Sequence, residues 1–341
     1  MFKKDFSVIS GAAAAVALAV GLVAAPVAAE TKLRVANWLP PVHHMTASLR
    51  AWADELESAS GGEIKVEVMD TPLAKPDGQY DLAKNGVVDI AWSVAAYHPK
   101  RFWKMFAVEV PFAVPDAETA GVAAWRWYEQ NGFIESDTDD TKLLAFFAHA
   151  PHQYHSAKPL TQLSDFNGLK VRAGGNGVKI AEMVGAVPVF MPPGQTNEAL
   201  TRGTIDVSQF PWESVKGFGL AEPATHHLVV PGGTYTGIFY LTMSKKTWGK
   251  LSDAEKAAVE KVSGEWGSRF ISAKWDAADQ AGLDAAKAAG NIITELSAED
   301  TAKLRDMTQS LADAWITQAN EKGLDGAALM ENLQGIISGL K

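Results

Sequence analysis

Residues 84–92 read KNGVVDIAW, and residues 202–210 read RGTIDVSQF. Each stretch holds Gly, two residues that are mostly β-branched, Asp, another β-branched residue and a small one. Each follows a segment with helical spacing, so each is a helix that stops at glycine and turns into a strand. One corner written twice, more than a hundred residues apart, predicts two lobes of like construction.

Working outward, the segments around each copy repeat a β-α-β-α-β order. Before the first copy, 32–37 reads as a strand, 46–59 as a helix with Leu49, Trp52, Ala53 and Leu56 on one face, and 63–69 as an alternating strand. Around the second, 169–173, 187–191 and 204–210 read as strands, with helices over 176–184 and 195–202. Apolar runs at 142–149 and 236–244 are further strands. Ser252-Asp-Ala-Glu255 is a capping box. The helix it opens is expected to run to Ala289, long enough to lie across both lobes, with a kink or break at Gly264, Gly267 or Gly282. A last helix is expected from Ser297 to about Lys322. The fold class is therefore α/β, two lobes with a cleft between them, where open α/β sheets bind ligands beyond the carboxyl ends of their strands.

Bulk properties narrow the function. The 341 residues, 47% of them hydrophobic, suffice for two domains, and the net charge of −9 comes without any basic cluster. Nucleic acid is excluded as a partner on that ground. With no cysteine in the chain, disulfides, thiolate chemistry and Cys-ligated zinc are excluded. Lys3 and Lys4, the apolar run 11–25 and the small residues Val27-Ala28-Ala29 have the layout of a signal peptide. It implies a chain that begins near Glu30, in the periplasm, without membrane insertion after cleavage. No Gly-x-Ser-x-Gly elbow or phosphate-binding loop occurs, and AGGNG (173–177) reads as a tight turn. His149, His152 and His155 have no metal-like spacing, so neither a metal nor another cofactor is expected. They read as loop histidines or as hydrogen-bond donors to a ligand. Arg172 stands at the end of the strand LKVRA. There a guanidinium wants a carboxylate, either from a structural ion pair or from a ligand.

The stretches GGEIKVEV (61–68), NGVVDIAW, VEVPF (108–112), SAKPLTQLSDFNGLKVRAGG (156–175), VGAVPVFMP (184–192), NEALTRGTIDVSQFPWE and LTMSKKTWGKLSDAEK (241–256), in this order, resemble the TRAP-transporter extracytoplasmic solute-binding proteins. The resemblance covers nearly the whole chain after residue 29. It implies a Venus-flytrap receptor that binds an organic acid and delivers it to small and large membrane subunits. It implies that Arg172 pairs with the ligand carboxylate. Two departures weaken the case for a dianion. Gln209-Phe210-Pro211 stands where many relatives have Glu-Asn-Pro, and HAPHQYHS (149–156) holds no second Arg. The expected ligand is thus a monocarboxylate with an apolar or aromatic body. A four-carbon dicarboxylate or a small hydroxy or keto acid is the alternative. A receptor for a signalling sensor and an organic-acid lyase are the alternatives of role, and an enzyme is not expected.

The expected contacts are Arg172 as clamp, Phe210 and Trp212 as one wall, and Trp38, His43 and Tyr97 from the opposite lobe. Tyr235 stands where the chain crosses back, with Gln153, His152 and His155 in second rank. The expected division is 1–29 signal peptide, 30–147 plus 236–282 lobe I, and 148–235 plus 283–341 lobe II.

Overall fold

A computed structural model of the chain describes residues 1–2 and 30–340; the expected signal peptide lies outside the described residues. Among the described residues, no helix is long and apolar enough to cross a membrane.

Eleven strands among the described residues form two sheets. They are β1 (Thr31–Val35), β2 (Ile64–Val68), β3 (Ile90–Val94), β4 (Thr141–Ala148), β5 (Gln153–Ser156) and β6 (Lys170–Arg172), then β7 (Val187–Val189), β8 (Val207–Phe210), β9 (His226–Val229), β10 (Ile238–Ser244) and β11 (Ile292–Glu295). The first sheet has the order β2-β1-β3-β10-β4 and the second β11-β9-β5-β8-β6-β7. Both contain the same unit. Three parallel strands (β2-β1-β3 and β7-β6-β8) are followed by an antiparallel one, β10 in the first sheet and β5 in the second. The chain crosses between sheets from β4 to β5 and returns into β10. β5, β9 and β11 were not expected from sequence, because segments of four residues, two of them with histidines, carry little strand signal.

The doubled corner does the same work in each sheet. Gly86 and Gly203 both take positive φ, 72° and 67°, which ends the preceding helix. The Asp89 carboxylate accepts the Arg34 backbone N–H (2.8 Å), and the Asp89 N–H donates back to the Arg34 carbonyl (3.2 Å). Asp206 repeats this with Lys170, at 3.0 and 2.9 Å. Each Asp thus ties its own strand entry to the neighbouring parallel strand and fixes register where a slip would turn every side chain over.

The expected 252–289 helix is two helices, Asp253–Lys261 and Gly264–Ala288. Gly264 has φ 65°, a left-handed conformation that breaks the run. The second piece straps the lobes together. Its Asp276 accepts the N–H groups of Ala117 and Glu118 (2.8 and 3.0 Å), at the start of the helix Ala117–Gln130 beside the first sheet. One turn on, Asp279 accepts the N–H of Glu213 (3.0 Å), at the start of the helix Glu213–Gly217 beside the second. Carboxylates at helix N-termini satisfy orphan donors and favour the dipole.

The tail differs from the expected division. Leu304, in the helix Ala298–Glu321, joins the second lobe's core, but Ala312, Trp315 and Ala319 of that helix pack with Trp103 and Trp127 of the first. A final helix, Gly326–Ser338, which the sequence reading lacked, lies there too. Its Leu329 carbonyl accepts the Trp127 indole N–H at 3.0 Å. Indole burial outweighs sequence proximity in placing this segment.

The strap makes a close approach at Gly282, where a Cβ would lie 1.8 Å from the Trp212 carbonyl oxygen. On helix propensity alone Gly282→Ala would stabilise by about 1 kcal/mol. The clash is expected to win and to cost about 1–3 kcal/mol or more. A urea midpoint at or above that of the parent chain would contradict this packing.

Candidate functional site

Four strand ends converge on the gap between the sheets. Past β1 the chain presents Trp38, past β3 Tyr97, at the end of β6 Arg172, and at the end of β8 Phe210. All four line one cavity, a concave, largely aromatic site of the kind that takes small molecules. β1 and β6 are equivalent strands of the repeated unit, as are β3 and β8, so the repeat itself brings the four together.

Arg172 is 3% exposed. Its guanidinium carbon lies 3.8 Å from the centre of the Phe210 ring, and its Nη2 donates to the Met191 carbonyl at 3.3 Å. Its Nε has no partner, and among the described residues no carboxylate lies within ion-pair distance of it. Burial pulls its pKa below the ordinary value, against the opposing pull of the Tyr97 and Tyr235 hydroxyls. The guanidinium stays charged and short of hydrogen-bond acceptors.

The walls are aromatic. Phe239 of β10 stacks on Trp275 of the strap at 5.0 Å and on Phe147 at 5.0 Å, and Trp38 lies 4.9 Å from Trp92. Tyr235 lines the crossing segment, its hydroxyl donating to the Gly174 carbonyl at 2.5 Å. Gly237 is required there, since a Cβ would fall 2.6 Å from His149 Nε2.

His43 also lines the cavity while capping the helix His44–Ala59: its Nδ1 accepts the Met45 N–H at 3.2 Å. Its Nε2 and that of His44 face one oxygen of Glu213, at 3.4 and 3.2 Å, joining the two lobes. Burial pushes the Glu213 carboxyl up, but the two imidazoles outweigh it and hold it down, at about 2. Three donors this close suggest a metal centre, and 3.2–3.4 Å edges suit a tetrahedral ion with bonds of about 2.0–2.1 Å. The cap argues against it. With Nδ1 accepting a backbone N–H, the neutral ring carries its proton on Nε2, the nitrogen a metal would need.

Three expected contacts lie elsewhere. Trp212 points away from the cavity. Pro211 turns the chain after β8, and the indole packs with Val215 and Ala286 and meets the His155 and His227 rings at 5.2 and 5.0 Å. Phe239 and Trp275 supply the wall expected of it. His155 bonds His227 (2.8 Å) and the Phe210 carbonyl (3.1 Å), on the far side of β5. Gln153 accepts the Val230 N–H at 2.7 Å. On a four-residue strand both satisfy neighbouring strands. His152, by contrast, lines the cavity beside His149, with their Nε2 atoms 3.1 Å apart. Burial holds both rings neutral, with the His149 pKa lowered to about 4 and that of His152 well below its usual value.

The sequence reading missed Glu109. It is 1% exposed and lines the cavity; Oε1 accepts the Ile238 N–H at 3.1 Å, while Oε2 has no partner. Burial without a basic partner raises its pKa to about 8. Its signal was there to find, a lone acid inside the apolar stretch VEVPF.

A family model for bacterial extracellular solute-binding proteins, family 7, matches residues 35–318. Solved structures of the same fold include a TRAP periplasmic solute-binding protein from Bordetella bronchiseptica with bound (R)- and (S)-mandelate. It is 28% identical, with 91% of this chain and all of that one covered, at TM-score 0.86. A marine metagenome TRAP solute-binding protein specific for aromatic acid ligands, in complex with metahydroxyphenylacetate, is 33% identical, covering 91% and 99%, at TM-score 0.85. A TRAP solute-binding protein from Rhodoferax ferrireducens, in complex with copurified benzoate, is 29% identical, covering 91% and 98%, at TM-score 0.84.

The Glu109 environment has a consequence for stability. The fold keeps the proton to about pH 8, whereas an unfolded Glu releases it near 4.3. Between these values the folded state binds more protons, so this group lowers stability as pH rises. The unfolding free energy of Glu109→Gln minus that of the parent is therefore expected to grow between pH 5 and 8. A difference independent of pH would contradict the burial assigned to Glu109.

Proposed function

The chain belongs to the bacterial extracellular solute-binding proteins of family 7, as a TRAP extracytoplasmic receptor, and we infer that within this family it captures an aromatic monocarboxylate. The observation that carries the reading is Arg172, buried, charged and without a protein carboxylate. A ligand carboxylate would supply the missing acceptors, held bidentately by the planar guanidinium. The stacked Phe210 ring holds the guanidinium flat. The ligand body would lie against Trp38, Phe239 and Trp275, with Tyr97 and Tyr235 closing the sides.

Monoacid is preferred over diacid for a physical reason. Among the described residues lining the cavity, Arg172 is the sole Arg or Lys. A second carboxylate would be buried without a cationic partner, at a cost of several kcal/mol. The three relatives described above, each named with an aromatic acid, support the same class.

Capture proceeds by closure. The lobes carrying the two sheets move about the crossings at 148–152 and 235–237, and contacts made only when closed, Arg172 to the ligand and His43 and His44 to Glu213, shift the population. The closed receptor then hands the acid to small and large membrane subunits in the periplasm. Binding and delivery, rather than turnover, is the role this family reading supports.

Arg172→Ala is expected to weaken binding of benzoate by about 2–5 kcal/mol in calorimetry, the range for truncating one member of a buried charge pair. Near-parental affinity would refute the clamp. In a thermal-shift series, benzoate, phenylacetate and mandelate are expected to stabilise the protein and succinate and malate to leave it unchanged. Stabilisation by succinate alone would overturn the monoacid reading.

A further inference from the structure

We propose that Glu109 and His152 form a hydroxyl-reading subsite, so that the preferred ligand is an aromatic acid carrying a hydroxyl group. The proposal rests on reading the cavity as an aromatic-acid site, and adds to it a second point of recognition distinct from the carboxylate clamp.

Two buried polar atoms of the cavity have unmet hydrogen-bonding capacity. Buried polar atoms are almost always paired, so those left over in a ligand cavity show what the ligand brings. Glu109 Oε2 and His152 Nδ1 are both buried and without a partner, and both residues line the cavity. Their protonation states follow from their other contacts. His149 Nδ1 lies 2.7 Å from the Ala150 carbonyl, so it carries the ring proton and leaves a lone pair on Nε2. His152 Nε2, 3.1 Å from that lone pair, must then be the donor, since two lone pairs would repel. His152 Nδ1 is consequently an acceptor.

Glu109 provides the complement. Its Oε1 accepts the Ile238 N–H. Burial keeps the carboxyl protonated at neutral pH, so Oε2 carries a proton to donate. One donor and one acceptor are what a hydroxyl group needs, since it accepts and donates at a single oxygen. The pair share neighbours. Tyr235 meets the His152 ring at 4.3 Å, and a Cβ at Gly175 would lie 3.4 Å from Glu109 Oε2 and 3.6 Å from the Tyr235 ring. Gly175, at φ 51°, leaves this corner open. The Asn176 amide anchors the Glu109 backbone carbonyl at 3.0 Å. An ammonium group is the other partner a carboxyl could take, but it would demand an ionised Glu109 and further acceptors. The Gly174 carbonyl nearby is already bonded by Tyr235.

The titratable groups facing Glu109 leave its proton in place. Tyr128, from the helix Ala117–Gln130, and Tyr235 both have pKa values raised by burial and stay neutral. His149 and His152 are neutral, and Arg172, the sole Arg or Lys among the described residues lining the cavity, does not pair with Glu109.

The test is calorimetric titration of the full receptor with two matched pairs, 3-hydroxybenzoate against benzoate and (R)-mandelate against phenylacetate. The parent protein is expected to bind the hydroxylated member of at least one pair about ten-fold more tightly. Glu109→Gln, whose amide still donates, is expected to keep that ratio. Glu109→Met, of similar size but without a donor, is expected to bring it to about one. Thermal unfolding of both variants identifies any loss of fold, and the ratio within each variant is insensitive to a general loosening of the site. From pH 7 to 9 the mandelate ratio is expected to fall in the parent and stay flat in Glu109→Gln. Tight binding of benzoate and phenylacetate with no hydroxyl increment, a ratio that survives Glu109→Met, or a collapse in Glu109→Gln would each overturn the subsite while leaving the aromatic-acid reading standing. Failure of all four acids to bind would overturn both.

Discussion

A guanidinium held inside a protein without a counter-charge is an unstable arrangement, and the rest of this receptor is organised around one. Arg172 is 3% exposed, stacked on Phe210 and bonded to one backbone carbonyl. Leaving a buried charge uncompensated costs about 3–5 kcal/mol, a large share of the stability of an ordinary domain. Such a cost persists when a ligand can relieve it. On the function proposed above, the carboxylate of a bound acid would do so, and the free energy released would be available to hold the lobes closed.

Around this charge the scaffold divides its tasks. The repeated corners fix strand register through Asp89 and Asp206, which carries Tyr97 and Phe210 to equivalent strand ends. The strap helix links the lobes through Asp276 and Asp279, each at a helix N-terminus in a different lobe. Asp279 keeps its proton to about pH 7, because burial outweighs the Glu213 N–H that it accepts. The Glu213 carboxylate itself faces His43 and His44. Among the described residues lining the cavity, Arg172 is the charged side chain left without a protein counter-charge, since Glu213 faces the two imidazoles.

What was legible in the sequence was what local chemistry determines. The two helix–glycine–strand corners were visible because glycine, β-branched residues and Asp act within a few positions of each other. That Arg172 and Phe210 line the cavity was legible because strand ends in such sheets point at the cleft. Trp212 was misread because a single proline reverses the direction in which the following side chain faces. β5 was missed because Gln153 and His155 take strand form only through β8 and β9, far away in sequence. The tail was misassigned because Trp315 finds its partners, Trp103 and Trp127, about two hundred residues earlier. Glu109 left one trace, a lone acid inside the apolar stretch VEVPF, but its place in the site comes from burial, which composition does not report.

Mass spectrometry of the small molecule released from protein purified without added ligand would identify what Arg172 holds. The account expects a single aromatic monocarboxylic acid, retained by parent protein and absent from Arg172→Ala prepared in parallel. A dicarboxylate, or the same acid retained equally by the Arg172 variant, would contradict it.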